Sequence, residues 1–212
     1  DTTWKKHLEG YKVIEWNESN FDIEQHPFVK AAYEAKKWAY VSDYIRAYAI
    51  YNYGGIYLDT DVLVVESLDS LLDNRAFVGY ENPQYPFTAV FGAEKNHPFI
   101  KDMLDYYDNK SFEFENNQYD KVNTKTVSDI LIEDYDCKIG NQEQMLREGI
   151  KVYKDDVLCN PSVNSKTIHI FTGTWLEGNS SFVRNVNKFI KLRLTNKSRL
   201  KLYSYYRNIK FK

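Results

Sequence analysis

The spacing of apolar residues divides the first part of the chain into helical and extended segments. Between residues 27 and 52, apolar side chains recur every three or four positions, which predicts one or two amphipathic helices. Gly54-Gly55 follows directly, and such glycines supply the left-handed conformation that commonly closes a helix. The next segment, 56–65 (IYLDTDVLVV), is β-branched and aromatic and predicts a buried strand interrupted by two carboxylates.

The rest of the chain continues to alternate between strands and helices. The further predicted strands are at 11–16, 76–80, 89–93, 151–153 and 167–171, and the further predicted helices are at 98–107 and 127–132. This alternation favours an α/β domain with a mostly parallel sheet and flanking helices. Sheets of that kind bind ligands beyond the carboxyl ends of their strands.

The composition is that of one globular domain. Of the 212 residues, 43% are hydrophobic, 27% charged and 16% aromatic, which excludes a disordered, collagenous or coiled-coil chain. No apolar run approaches the roughly 20 residues that a membrane-spanning helix needs. Cys137 and Cys159 have neither CxxC spacing nor histidine partners, so we expect no disulfide scaffold or zinc site and a reducing, cytoplasmic compartment.

Charge is distributed unevenly along the chain. The formal net charge is −2, yet residues 1–177 sum to −12 and residues 178–212 to +10. This predicts a body at 1–177 and a basic amphipathic tail at 178–212, with apolar residues at helical spacing at Phe182, Val186, Phe189 and Ile190.

Three interpretations of the tail remain open. It can lie on an anionic membrane, where each basic residue contributes about 1 kcal/mol, or pack on the acidic body as a helical hairpin. Nucleic-acid binding is the least favoured interpretation, because no nucleic-acid motif accompanies the charge.

Asp59 and Asp61 are the main candidates for chemistry. One residue separates them within the predicted strand, so both side chains leave the same face, about 6.6 Å apart along the chain. Two like charges in a nearly dry place are unfavourable unless a cation or strong donors accompany them. Hard oxygen ligands select Mg²⁺ or Mn²⁺, which bridge a few carboxylates to substrate phosphates.

A second polar pair lies just upstream of the carboxylates. Asp43 and Arg46 are three residues apart on the predicted helix and therefore project to one side. The helix runs through the glycines into the carboxylate segment, so all four polar residues are expected to converge on one crevice. The planar fork of Arg46 suits a phosphate or a sugar hydroxyl, and Asp43 can accept hydrogen bonds from hydroxyls. An acidic turn would by itself explain the carboxylate pair, and a surface ion pair would by itself explain the pair on the helix. The two pairs in this order along the chain favour a binding site.

These motifs resemble those of a known family. Ser42-Asp43-x-x-Arg46 followed by GGIYLDTDV (54–62) resembles the sugar-binding DXD region of glycosyltransferase family 32. That family includes capsular-polysaccharide and yeast outer-chain sugar transferases, and its core is similar to the glucosylating domain of large clostridial toxins. The resemblance extends from WKKHLEGYKVIEWNESNFDI through IKVYKDDVLCNP to an H-x-x-x-x-S/T-W pattern that begins at His169.

The resemblance implies a GT-A fold, Rossmann-like, and a metal-dependent transferase that retains anomeric configuration. The donor is a nucleotide diphosphate sugar, with UDP expected ahead of GDP. The acceptor is a glycan or glycolipid in surface-polysaccharide synthesis, of the capsule type, at the inner face of the membrane. Departure of the nucleoside diphosphate builds negative charge that a divalent cation stabilises by several kcal/mol, so no catalytic base is assigned.

The resemblance also assigns the site residues. Asp61 is the direct ligand of Mn²⁺ or Mg²⁺, with Asp59 and His169 as further metal residues. The donor-binding residues are Ser42, Asp43, Arg46, Tyr57, Asp59, Asn123, Thr174 and Trp175. His169, within an apolar strand, also has an explanation as a hydrogen-bonded structural residue.

One feature of the family is not found. Its members usually start with an I-P-K-x-I-H-x-x-W-like strand of the nucleotide pocket, and nothing similar precedes Asp1. We therefore expect a truncated chain or an incomplete wall around the base. The alternative function is a non-catalytic, degenerate transferase that binds a membrane or partner. Glycoside hydrolysis is disfavoured, because hydrolases place two carboxylates on opposite sides of the sugar bond, usually on different elements.

Overall fold

The computed structural model describes residues 2–108, 110, 112, 123–172 and 188–210. The helices are α1 (Thr2–His7), α2 (Pro27–Glu34), α3 (Trp38–Tyr53), α4 (Pro98–Asp108), α5 (Asn123–Tyr135), α6 (Asp155–Leu158) and α7 (Lys197–Lys210). The strands are β1 (Gly55–Leu58), β2 (Val62–Val64), β3 (Ala76–Gly79), β4 (Val90–Ala93), β5 (Gln144–Met145), β6 (Ile150–Tyr153) and β7 (Thr167–His169). Single 3-10 turns lie at Ile23–Gln25, Asp69–Leu71 and Arg147–Gly149.

The helical prediction for 27–52 is confirmed as two helices, α2 and α3. Pro27 occupies the first turn of α2, where its missing N–H is not needed. The helix α3 ends at Gly54, whose N–H donates to the carbonyl of Ile50 at 2.8 Å and whose φ is +69°. A Cβ at Gly54 would lie 2.9 Å from the backbone nitrogen of Lys95, so glycine is required both by conformation and by space.

The main sheet has five strands in the order β1-β4-β3-β6-β5. The predicted α/β class is confirmed and is consistent with a GT-A-like fold, but the expectation of a mostly parallel sheet is wrong. Only β3 and β6 pair in parallel, whereas the β1–β4, β3–β4 and β5–β6 pairs are antiparallel. The reason lies in the connections: β3 to β4 and β5 to β6 lack the crossover helix that a parallel pair needs. The α4–α5 region separates β3 from β6 and allows their parallel pairing.

The predicted strand 56–65 is two strands that belong to different sheets. The strand β1 pairs with β4 in the main sheet, and β2 pairs with β7 in a separate two-stranded ribbon. Between them the N–H of Val62 donates to the carbonyl of Asp59 at 3.1 Å, which closes a turn over Asp59, Thr60 and Asp61. The placement of the carboxylates in the middle of one strand is therefore wrong. A buried apolar ladder does not continue through two charged side chains.

The predicted strand at 11–16 is also wrong. These residues form no regular secondary structure, and Val13 and Ile14 are exposed. An apolar segment forms a strand only where a neighbouring strand offers hydrogen-bonding partners. The strand predicted at 167–171 is shorter than expected and ends at His169.

Two apolar cores cover the two faces of the main sheet. Along β3, Ala76 and Val78 face the core formed with α2, α3, α4 and α5, whereas Phe77 faces the opposite core. The opposite core contains β2 and Leu158 of α6. The β2–β7 ribbon is thereby fixed against the sheet, and its position sets that of the turn at 59–61.

The described part of the basic tail packs on the body of the domain. Leu194 and Leu200 are buried in a third core with residues of β2 and β7. Lys197 forms an ion pair with Glu66 at 3.0 Å and donates to the carbonyls of Val163 and Ser165. Self-packing is thus present in the tail, while its predicted apolar residues Phe182 and Val186 lie outside the described residues. Within the described residues no helix combines the length and apolar character needed to cross a membrane.

Candidate metal and donor site

The turn between β1 and β2 brings two carboxylates to the end of β7. In the β2–β7 ribbon Val62 is opposite His169, and the N–H of Ile170 donates to the carbonyl of Asp61 at 3.0 Å. Ligand atoms of Asp59, Asp61 and His169 consequently all lie within 4.8 Å of one another. The three residues that the family resemblance assigned to metal binding therefore form one cluster.

Asp61 is held by contacts to both of its carboxylate oxygens. Its Oδ1 lies 3.2 Å from Nε2 of His169, and its Oδ2 accepts hydrogen bonds from the backbone N–H (2.8 Å) and the hydroxyl (2.9 Å) of Thr172. Burial by itself would raise the pKa of Asp61, but the contacts with His169 and Thr172 outweigh burial and hold that pKa well below its usual value. Asp61 is therefore an anion fixed in one orientation.

Asp59 is oriented by residues of the helix and strand before it. Its Oδ1 accepts a hydrogen bond from the hydroxyl of Tyr57 at 2.7 Å and lies 3.3 Å from Nη1 of Arg46. The Oδ2 atom accepts no hydrogen bond from a described residue, so Asp59 has one oxygen free for a ligand. Burial is the main reason that the pKa of Tyr57 is raised, and its hydroxyl remains a donor at neutral pH.

Arg46 joins both polar pairs into one buried network. Its guanidinium lies 3.2 Å from Asp43 and 3.3 Å from Asp59, and it covers the ring of Tyr57 at 4.7 Å. It also donates to the carbonyl (3.2 Å) and the hydroxyl (3.1 Å) of Ser42. Burial alone would lower the pKa of Arg46, but the neighbouring Asp59, Tyr57 and Asp43 raise it. The fork of Arg46 is therefore engaged in holding two carboxylates.

Asp43 and Asn123 lie at the inner end of this network. Burial raises the pKa of Asp43 to about 6, against the opposing influence of Arg46. Asn123, the first residue of α5, is buried beside Asp43 and lies 3.4 Å from the hydroxyl of Tyr107. Its amide lies near enough to the Asp43 carboxyl to lower the pKa of that group, yet its Nδ2 has no partner at full hydrogen-bond geometry among the described residues. A buried donor without a well-aligned partner suits a sugar hydroxyl.

The cluster fits a hexacoordinate divalent cation. Two neighbouring ligands roughly 2.1 Å from an octahedral ion are about 3.0 Å apart, close to the 3.2 Å between Asp61 Oδ1 and His169 Nε2. Asp59 adds a third hard ligand within reach. Two carboxylates with one imidazole suit Mn²⁺ better than Mg²⁺, which prefers oxygen ligands and its own waters.

The structure adds two residues that sequence reasoning missed. Thr172 orients Asp61 through both its backbone and its hydroxyl, and no spacing pattern marks that role. Glu81, after β3, is partly buried near Asp59 and His169, and burial raises its pKa. A charged residue among the otherwise buried residues at the end of β3 was the available signal. Thr174 and Trp175 lie outside the described residues.

Comparisons with known proteins agree with this geometry. Residues 2–78 match a family model described as a glycosyltransferase sugar-binding region containing a DXD motif. Inositol phosphoceramide mannosyltransferase 3 of Schizosaccharomyces pombe is 31% identical over 98 residues, which are 44% of this chain and 28% of that protein. Mannosyl phosphorylinositol ceramide synthase SUR1 of Saccharomyces cerevisiae is 32% identical over 98 residues, 44% of this chain and 26% of that protein.

A human relative is named for the transfer of a different sugar. Alpha-1,4-N-acetylglucosaminyltransferase is 27% identical over 105 residues, which cover 49% of this chain and 26% of that protein. The chain thus spans about a quarter of the length of these curated relatives. No solved structure matches it significantly. Residues 2–78 are thus similar to a glycosyltransferase sugar-binding region, and the turn at 59–61 lies within them and has the D-x-D sequence that the family description names.

Proposed function

We propose that this chain is the donor-binding core of a metal-dependent, retaining glycosyltransferase of family 32, with a nucleotide diphosphate sugar as donor and UDP ahead of GDP. The observation that carries the proposal is the convergence of Asp59, Asp61 and His169 beside the buried network of Arg46. A carboxylate pair with an imidazole is suited to a divalent cation. Both carboxylates lie within the residues that match the DXD-type glycosyltransferase region.

Some residues of the site are proposed metal ligands, and the others position those ligands or face the donor. Asp61 and His169 would hold Mn²⁺ or Mg²⁺, and Asp59 would contribute its free oxygen to the ion, to a bound water or to the donor. When bound, the cation supplies stabilisation of the negative charge on the departing diphosphate. Arg46 and Tyr57 keep Asp59 in place, and Asp43 and Asn123 face the donor sugar.

The acceptor is proposed to be a glycolipid or surface glycan reached at the inner face of a membrane. One of the relatives is named an inositol phosphoceramide mannosyltransferase, and another is named a mannosyl phosphorylinositol ceramide synthase. The described tail exposes large apolar side chains at Phe189, Ile190, Leu192, Leu202 and Tyr205. Basic residues lie between them in sequence, which is the composition of an interfacial segment.

Ligand binding tests the function directly. Mn²⁺ together with UDP is expected to raise the thermal midpoint of unfolding by several degrees, because a ligand at 100 times its Kd adds about 2.7 kcal/mol. The measurement is a thermal melt with Mn²⁺ alone, with UDP or GDP alone, and with each pair. The nucleotides without metal are expected to produce a much smaller shift.

The same melts distinguish the alternative. No shift with Mn²⁺ and either nucleotide diphosphate would contradict the transferase and leave a non-catalytic module. A shift of equal size with adenosine diphosphate would show general diphosphate binding and contradict donor selectivity. Product analysis against a panel of nucleotide sugars then identifies the sugar and the acceptor class.

Membrane association is predicted to depend on lipid charge. Sedimentation with vesicles of phosphatidylcholine containing about 30% phosphatidylserine is expected to capture the chain, since juxtamembrane basic residues contribute about 1 kcal/mol each. The double variant Lys201→Glu/Leu202→Ser is expected to reduce the bound fraction severalfold.

A matched control lies far from the tail in sequence. Lys12 and Val13 are likewise an exposed basic and apolar pair, and Lys12→Glu/Val13→Ser is expected to leave binding unchanged. Equal capture by vesicles of phosphatidylcholine alone would refute the electrostatic part of this proposal.

A further inference from the structure

The basic tail reaches the candidate metal site through Lys191. This residue ends a helical turn at 188–191. Its Nζ donates to the backbone carbonyl of His169 at 2.7 Å and lies 4.5 Å from the centre of the Phe171 ring. The Phe171 ring in turn packs on the imidazole of His169 at 3.9 Å. The ammonium group of Lys191 therefore lies at the end of β7, the strand that supplies the imidazole of the candidate metal site.

Lys191 differs from Lys197, the other lysine of the tail that packs on the body. Lys197 has an ion-pair partner in Glu66 and two carbonyl acceptors. Within the described ranges Lys191 has one hydrogen-bond acceptor and no ion pair, although an ammonium carries three donors. Burial lowers the pKa of Lys191, while Asp61 and Glu81 lie near enough to oppose that change. A partly buried cation with unused donors is suited to bind an anion.

The position of Lys191 identifies the kind of anion. Asp61 and Glu81 already make this region negative, so a simple anion would be repelled from it. An anion that also coordinates a divalent cation held by Asp61 and His169 would be attracted from two sides. A diphosphate has this property, because its oxygens bind hard cations and a lysine ammonium together.

We propose that Lys191 binds the β-phosphate of the nucleoside diphosphate, so that the start of the described tail completes the donor site. The inference rests on the proposed function and extends it to a residue outside the DXD region. The tail then has a role in donor binding as well as in packing, and Lys191 contacts the leaving group. Its neighbours Ile190 and Leu192 are exposed, so the donor site borders the apolar and basic surface of the tail.

The test compares three ligands in calorimetric titrations. The Lys191→Met variant is expected to bind Mn²⁺ alone within about twofold of the wild type, because the metal ligands are intact. Its affinity for UDP in the presence of Mn²⁺ is expected to fall about 10- to 100-fold, the usual effect of losing a charged hydrogen bond. Binding of UMP, which lacks the β-phosphate, is expected to be unchanged. GDP and GMP serve as the second nucleotide pair if the wild type prefers them.

Two further variants separate charge from structure. Lys191→Gln can keep the hydrogen bond to the carbonyl of His169 without the charge, and it is expected to lose UDP affinity as Lys191→Met does. Lys12→Met removes an exposed basic residue far from the tail in sequence and is expected to bind all ligands as the wild type does.

Three results would contradict the proposed role of Lys191. Unchanged UDP affinity in Lys191→Gln would overturn it while leaving the proposed function intact. Equal losses for UDP and UMP, or loss of Mn²⁺ binding, would show a structural role only and also overturn it. If the wild type binds Mn²⁺ but no nucleoside diphosphate, the proposed function fails and the inference fails with it.

Discussion

Replacement of Asp61 by asparagine is expected to reduce Mn²⁺ affinity by more than about 100-fold and to abolish the metal-dependent response to UDP. Even residues that only support a metal ligand change affinity by about 10- to 100-fold, and a direct ligand should exceed that range. Asparagine preserves the size of the side chain and can still contact Thr172, but it removes the negative charge that Asp61 brings to the cluster. The loss therefore reports on metal binding rather than on packing.

The control for this variant is Asp73→Asn. Asp73 is exposed and lies away from the turn at 59–61 in the chain, so the same chemical change there should leave Mn²⁺ affinity within about twofold of the wild type. Titration of Mn²⁺ by calorimetry or by electron paramagnetic resonance measures both variants. Equal affinities in Asp61→Asn and Asp73→Asn would contradict the assignment of Asp61 as a ligand.

Replacement of Arg46 by methionine is expected to have the largest effect on stability, about 3–5 kcal/mol at neutral pH. Removing one partner of a buried ion pair leaves the other charge without compensation, and Arg46 compensates both Asp43 and Asp59. The side chain of Arg46 is only 11% exposed, so water cannot take over that role. Urea denaturation gives the free energy of unfolding, and Mn²⁺ affinity should fall as well because Asp59 loses its support.

The matched control is an arginine that forms two ion pairs at the surface. Arg75 pairs with Glu94 at 3.2 Å and Glu148 at 3.4 Å, and its side chain is 52% exposed. Solvent screens such pairs, so Arg75→Met should change the free energy of unfolding by less than about 1 kcal/mol. A double variant, Arg46→Met/Asp43→Asn, should recover part of the lost stability because it removes one uncompensated charge. Equal destabilisation by Arg46→Met and Arg75→Met would refute the network.

The prediction of the helices α2 and α3 is correct because the signal for a helix is local in the sequence. The periodic apolar residues before Gly54 bury one face of α2 and α3, and this requirement depends only on neighbours along the chain. The glycine at the end of α3 has a conformation that few other residues adopt, so its position also marks the helix end. The pairing of strands has no such local cause. The sequence predicts a strand at 11–16 as it does at 151–153, yet only the latter segment has neighbouring strands on both sides.

In the candidate site, too, some features follow from the local sequence and others depend on tertiary contacts. The types and order of Asp43, Arg46, Asp59 and Asp61 were sufficient to propose a cation and a phosphorylated ligand. The separate strands β1 and β2 were not foreseen, because the break depends on β4 and β7, which come later in the chain. The same pairing places His169 beside Asp61, a contact that spacing along the chain could not predict.

The sequence by itself determined the α/β class, the helix boundaries near the glycines and the chemical character of the DXD region, because these depend on side-chain periodicity and residue type. Tertiary structure decided the antiparallel pairing of the sheet and the turn that carries Asp59 and Asp61. It also decided the contacts of Thr172 with Asp61 and of Lys191 with the carbonyl of His169. Each of these contacts joins segments that are distant along the chain. The free energy that selects them comes from burial and hydrogen bonding in the folded domain, which no local pattern records.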